Sequence, residues 1–69
     1  MISVPEHRCQ HAIDNIKKQI PIGFSYAQFE KRFKELTGKK CYFEFVEHTE
    51  MFIQFDDDRD YMMFLLRWS

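Results

Sequence analysis

Glycine and proline are scarce, with two of each in 69 residues. A chain so poor in them, and 45% hydrophobic, is a folded globule and not a disordered tail. Two cysteines, Cys9 and Cys41, are too few for a disulfide framework, so reduced, buried thiols of an intracellular protein are expected. No basic segment leads into an apolar one, and no apolar run is long enough to span a bilayer. Neither a secretory leader nor contact with a membrane is therefore expected, and the cytoplasm is the expected compartment. A glycine-rich phosphate loop is missing, as is a Ser or Thr in a nucleophile elbow. No cofactor motif is present.

Aromatic residues are what the chain has in quantity. Eight Phe, three Tyr and one Trp make up 17% of it. A chain this short is one domain, spanning residues 1–69. Domains of this size bury only about 60% of their unfolded surface, and large rings offset part of that deficit.

The net charge of −1 conceals a separation of signs. Residues 17–40 carry seven basic side chains against Glu30 and Glu35, and residues 44–60 carry seven acidic ones against Arg59. Such a division gives a molecule with a basic and an acidic side, unless the two sets pair with each other at the surface.

Hydrophobic periodicity predicts three helices and a hairpin. Cys9, Ile13, Ile16 and Ile20 form one helical stripe. With Ser3 and Glu6 at capping-box spacing and Pro5 in the first turn, the helix is expected over Val4–Ile20. The second helix follows a Ser25/Gln28 capping box, with Phe24 and Phe29 spaced as a hydrophobic staple. Tyr26, Phe29, Phe33 and Leu36 are its expected buried stripe, and Gly38 its left-handed C-cap.

Cys41–Glu47 and Met51–Phe55 read as two strands. A three-residue loop, His48-Thr49-Glu50, would pair Phe45 with Ile53 and Phe43 with Phe55, which keeps Cys41, Phe43, Met51, Ile53 and Phe55 on one face. The third helix is expected from Asp57 to Trp68, with Tyr61, Phe64, Leu65 and Trp68 inward. Met62, Met63 and Leu66 widen its apolar surface, so it is either largely buried or meets a partner. The expected fold is thus α+β, a helix-helix-β-hairpin-helix (ααββα) domain with its helices on one face of a two-stranded antiparallel sheet.

Asp56, Asp57, Asp58 and Asp60 are the densest cluster of chemistry-bearing side chains. Asp56, Asp58 and Asp60 alternate like the first ligands of a calcium loop, but the sixth position is Tyr61 and the twelfth Arg67, where Gly and Glu are required. A helix cap explains Asp57 or Asp58, and the other carboxylates favour the positive helix end. Four acids exceed what a cap needs, which leaves some for a partner. His7 and His11 have the spacing of helical zinc ligands, yet Cys9 points to another side of that helix, so no metal site is expected. Cys41 and His48 stand at opposite ends of a strand, about 20 Å apart at about 3.3 Å per residue, too far for a thiol and its base. Catalysis is not expected.

The hairpin face away from the core would display Tyr42, Glu44, Val46, Phe52 and Gln54. Either a helix covers it or it is a contact surface. Lys39, Lys40 and Tyr42 interleave charge with rings as single-strand nucleic-acid binders do, although the acidic hairpin would repel phosphate.

The stretch "YFEFVEHTEMFIQFDDDRDYMMFLLRWS" resembles the end of many small proteins encoded by tailed bacteriophages. Those finish in an aromatic strand, an acidic turn and a helix with a Phe/Leu/Trp ending, matched here by Phe52–Asp60 and by Phe64, Leu65, Leu66, Arg67 and Trp68. The resemblance implies a small phage accessory protein acting on the infected bacterial host. Together these readings predict a non-enzymatic protein-binding module or host-factor inhibitor. Its expected partner is a host protein with a basic surface, met by Tyr42, Val46, Phe52, Glu47, Glu50, Asp56, Asp57, Asp58 and Asp60. Single-stranded nucleic-acid binding through Lys39, Lys40 and Tyr42, or self-assembly, is the alternative; the chain is expected to be a monomer or a homodimer, and self-assembly predicts the dimer.

Overall fold

A computed structural model describes residues 1–68. The elements run β1 (Ile2–Pro5), a 3-10 helix (Glu6–Cys9), α1 (Gln10–Lys17), α2 (Tyr26–Thr37), β2 (Cys41–Phe45), β3 (Thr49–Phe55) and α3 (Asp58–Trp68). The sheet is antiparallel with strand order β1-β3-β2, so the longest strand is central. The α+β class and the stacking of helices on one sheet face match expectation. The third strand and the order βααββα do not.

The first expected helix is divided. Its beginning, Ile2–Pro5, is extended and pairs with β3, Ile2 opposite Phe55 and Val4 opposite Ile53. The cause is Pro5, whose backbone is extended (φ −68°, ψ 150°). Its ring disfavours a helical conformation at Val4 before it, and its missing N–H is tolerated because β1 is an edge strand. The Ser3/Glu6 capping box does not form. Glu6 instead accepts from Lys17 Nζ at 2.7 Å. α1 also ends at Lys17, short of the expected Ile20, yet the inward side of the stripe survives: Cys9, Ile13, Ile16 and Ile20 are all buried.

α2 forms as its local signals dictate. The Ser25 hydroxyl accepts from Gln28 N–H, and the Gln28 side chain accepts from Ser25 N–H at 2.8 Å. Gly38 closes the helix at φ 74°, a left-handed conformation that costs a residue with a Cβ free energy. Phe33 carries the packing at 0% exposure, flanked by half-buried Phe29 and Leu36. Full burial of such a ring contributes about 3 kcal/mol. Tyr26 departs from the expected stripe. It is 51% exposed, lying against Phe43 and Phe45 with ring centres 4.7 and 5.1 Å away.

The hairpin register is a second correction. Phe45 pairs with Thr49 and Phe43 with Met51, so the loop is Val46-Glu47-His48 and not His48-Thr49-Glu50. Strand side chains alternate with a period of two, so a displacement by an even number of residues preserves the inward face. Cys41, Met51, Ile53 and Phe55 are therefore buried, as the alternation predicts. Phe45 loses by the shift and stands 60% exposed beside the turn.

The core unites Val4, Met51, Ile53, Phe55 and Cys41 from the sheet with Ala12, Ile13, Ile16, Ile20, Phe33 and Phe64 from above it. Phe64 lies 5.1 Å from Phe55 and 6.4 Å from Phe33, which joins α3 to the sheet and to α2. α1 holds α3 through Asn15, whose amide donates to Trp68 O at 2.6 Å, and Tyr61 O–H donates to Arg8 O at 3.2 Å. Met62, Met63 and Leu66 remain exposed on the far side of α3.

Candidate functional site

The acidic turn is engaged from within. Asp57 is the N-cap of α3: its Oδ1 accepts from Asp60 N–H at 2.8 Å. Asp60 answers through Oδ2, which accepts from Asp56 N–H at 3.0 Å, while its Oδ1 accepts from Lys39 Nζ at 2.5 Å. That lysine bond, then the Asp56 N–H, then the lysine charge hold the Asp60 carboxyl below the usual carboxylate range. Two of the four carboxylates are thus committed to the helix end. Asp56 and Asp58 are exposed and make no side-chain hydrogen bond or ion pair among the described residues.

The same ion pair occupies Lys39, the first of the two expected nucleic-acid lysines. Lys40 is exposed and sits on the outer sheet face, where its carbonyl accepts from Gln54 N–H at 2.9 Å. The two thiols are free and buried. Burial pushes Cys9 up to about 11 and Cys41 up to about 12. A thiol held so far above neutrality is protonated and makes a poor nucleophile or ligand. His7 lies 3.6 Å from Glu50, away from Cys9 in the core. Among the described residues no group of three or more His, Cys, Asp or Glu side chains is placed to hold a metal ion.

The outer face of the sheet takes no part in the core. Ser3 and Pro5 from β1, Glu50, Phe52 and Gln54 from β3, and Tyr42 and Glu44 from β2 point to this side. The buried core residues all lie with the helices on the opposite side, so no helix among the described residues covers this face. At its centre Tyr42 stacks on Phe52, with ring centres 5.4 Å apart and planes 16° apart. Such a cross-strand aromatic pair contributes up to about 1 kcal/mol to the sheet. Beside it Glu44 stands directly opposite Glu50, two like charges on neighbouring strands.

Not every predicted contact residue belongs to this surface. Tyr42, Phe52 and Glu50 are together on it, and Val46 and Glu47 lie at the adjoining turn. Asp56, Asp57, Asp58 and Asp60 lie past the other end of β3, where Asp56 is about 20 Å from Glu50 and about 14 Å from Phe52 at about 3.4 Å per residue. The structure also exposes two residues that the pattern assigned to the core, Phe45 at 60% and Tyr26 at 51%, whose rings meet on the helix side of the sheet beside the turn. Val46, expected on the outer face, is 87% exposed.

No family model, no curated protein sequence and no solved structure matches the chain. Its chemistry rests on its own geometry. No helix among the described residues is long and apolar enough to cross a membrane.

Proposed function

We propose that the chain is a non-enzymatic protein-binding module whose open sheet face engages a basic patch on another protein. The observation that carries this reading is the Tyr42–Phe52 stack on a face with no helix over it, bordered by Glu44, Glu50 and Glu47. Aromatic side chains supply most of the energy at interfaces, and surrounding charges chiefly steer the encounter. Tyr42 and Phe52 are the anchors, Val46 extends the apolar contact around the turn, and the three glutamates select a cationic partner. Asp56 and Asp58 add a remote acidic field, whereas Asp57 and Asp60 serve the fold. The phage-like ending of the sequence supports a protein of the bacterial host as that partner, with the module acting as an accessory or inhibitor.

Nucleic-acid binding has less support. Lys39 is neutralised by Asp60, and Lys40 shares its face with Glu44 and Glu50. Affinity capture from bacterial lysate tests the proposal. A specific partner retained by the wild type is expected to be lost with Phe52→Ser and weakened by Glu47→Lys with Glu50→Lys. Capture unaffected by either change refutes it, as does a low-salt gel shift of single-stranded oligonucleotides abolished by Lys40→Ala.

A further inference from the structure

β2 is an edge strand, with β3 on one side and no strand among the described residues on the other. Which of its backbone groups face the open side follows from one bond. Gln54 N–H donates to Lys40 O, so Lys40 and Gln54 form a hydrogen-bonded pair. Antiparallel pairs alternate between bonded and non-bonded. Lys40, Tyr42 and Glu44 therefore direct their N–H and C=O groups to β3, and Cys41, Phe43 and Phe45 direct theirs to the free edge. Exposed edges usually carry Pro, a bulge or several charges as protection. This one reads Cys-Tyr-Phe-Glu-Phe, with a single charge.

That charge is poorly placed within the monomer. Glu44 faces Glu50 across the β2–β3 ladder, an arrangement that destabilises a sheet. Glu50 has His7 3.6 Å away, and Glu44 has no ion-pair partner among the described residues. Lys40, four residues earlier on the same outer face, has none either. A cation and an anion that cannot reach each other along one strand do meet when that strand is laid antiparallel against itself.

We infer that two copies of the chain pair through β2, antiparallel, with Tyr42 on the two-fold axis. In this register Lys40 stands opposite Glu44 of the second copy, twice, and Tyr42 stands opposite its own counterpart. Cys41 and Phe43 of opposite copies exchange the outward-pointing backbone bonds. Charge selects this alignment among those the backbone permits. An axis at Glu44 sets the two copies of Glu44 against each other. An axis at Phe43 leaves Lys40 opposite Val46, in the turn. The contact is isologous and closes on itself. It joins two three-stranded sheets into one of six strands and brings both Tyr42–Phe52 stacks side by side on a continuous outer face. The inference rests on the edge and its charges, not on the identity of any further partner.

The test is mass in solution, by sedimentation or light scattering from about 10 μM to about 1 mM. The wild type is expected to reach twice the 8.5 kDa of a single chain. Lys40→Glu and Glu44→Lys, each with an unchanged circular dichroism spectrum, are expected to weaken the dimer at least about tenfold. An equimolar mixture of the two variants restores it, because each cross-strand pair of the mixed dimer again joins a lysine to a glutamate, one in the original sense and one reversed. Amide exchange at Cys41 and Phe43, but not at Tyr42, is expected to slow with rising concentration. A monomer throughout the range overturns the inference. So does a dimer that neither reversal weakens, which would place the contact elsewhere, such as the exposed Met62–Met63 side of α3.

Discussion

Replacing Asp60 tests how far the acidic turn belongs to the fold. Its carboxylate holds two bonds at once, to Lys39 Nζ and to Asp56 N–H. Both partners of the ion pair are largely shielded, with side chains 24% and 21% exposed. Such a pair contributes up to about 1 kcal/mol, and a bond from carboxylate to backbone N–H at a helix start about 1 kcal/mol more. Asp60→Ala should therefore cost about 2 kcal/mol, and Asp60→Asn, which keeps an acceptor for Asp56 N–H, about 1 kcal/mol. Urea unfolding followed by Trp68 fluorescence reads this directly. With a slope of about 1 kcal/mol per molar for a domain this small, the midpoints should fall by about 2 M and about 1 M.

The sign of the pH dependence adds a control. The folded pKa of Asp60 lies below its ordinary 3.8, so folding favours the ionised form. Its contribution is complete above that ordinary value and is lost as pH falls through the lower folded one. The gap between wild type and Asp60→Asn should be constant from about pH 7 to about pH 5 and shrink as the pH falls below 3.8 and through the lower folded value. No gap at neutral pH, or the same gap at both extremes, refutes the reasoning.

Other expectations follow from the same structure. Phe33→Ala removes a ring with no exposed surface, so a loss of about 4 kcal/mol is expected, enough to unfold much of so small a domain in a thermal melt. Gly38→Ala should cost about 1 kcal/mol from its left-handed backbone alone, since an added Cβ meets nothing within 4 Å; Gly38→Asn should cost less in the same melt. Cys9 and Cys41 should resist a thiol reagent at mild alkaline pH and react only as urea unfolds the chain, because burial holds both well above their ordinary value of 9.0. Rapid labelling of the folded chain would contradict their placement.

What the sequence disclosed follows the range of the forces involved. α2 was legible at both ends, because Ser25, Gln28 and Gly38 act through bonds within a turn of themselves. The start of α3 was legible for the same reason, with the cap narrowed to Asp57 or Asp58, and the structure selects Asp57. The inward faces of the hairpin followed from alternation. Its register did not, because alternation fixes parity and leaves the position of the turn open, and Val46, a good strand residue, drew the expected strand past its true end. β1 escaped because its partner lies some fifty residues away, and Ile2 and Val4 carry no local mark of pairing with Phe55 and Ile53. Pro5 was compatible with a helix start, and only its effect on Val4 argued for a strand. The candidate surface was half legible. Tyr42 and Phe52 emerged from alternation, whereas the separation of the acidic turn from Glu47 and Glu50 required the length of β3.

The central claim is that contact is made by the open sheet face and not by the acidic turn. Partner capture by two variants decides it: Tyr42→Ser with Phe52→Ser, and Asp56→Asn with Asp58→Asn, both verified as folded by circular dichroism. The account predicts loss of the partner with the first and near wild-type retention with the second. Retention by the sheet-face variant with loss by the turn variant would contradict it.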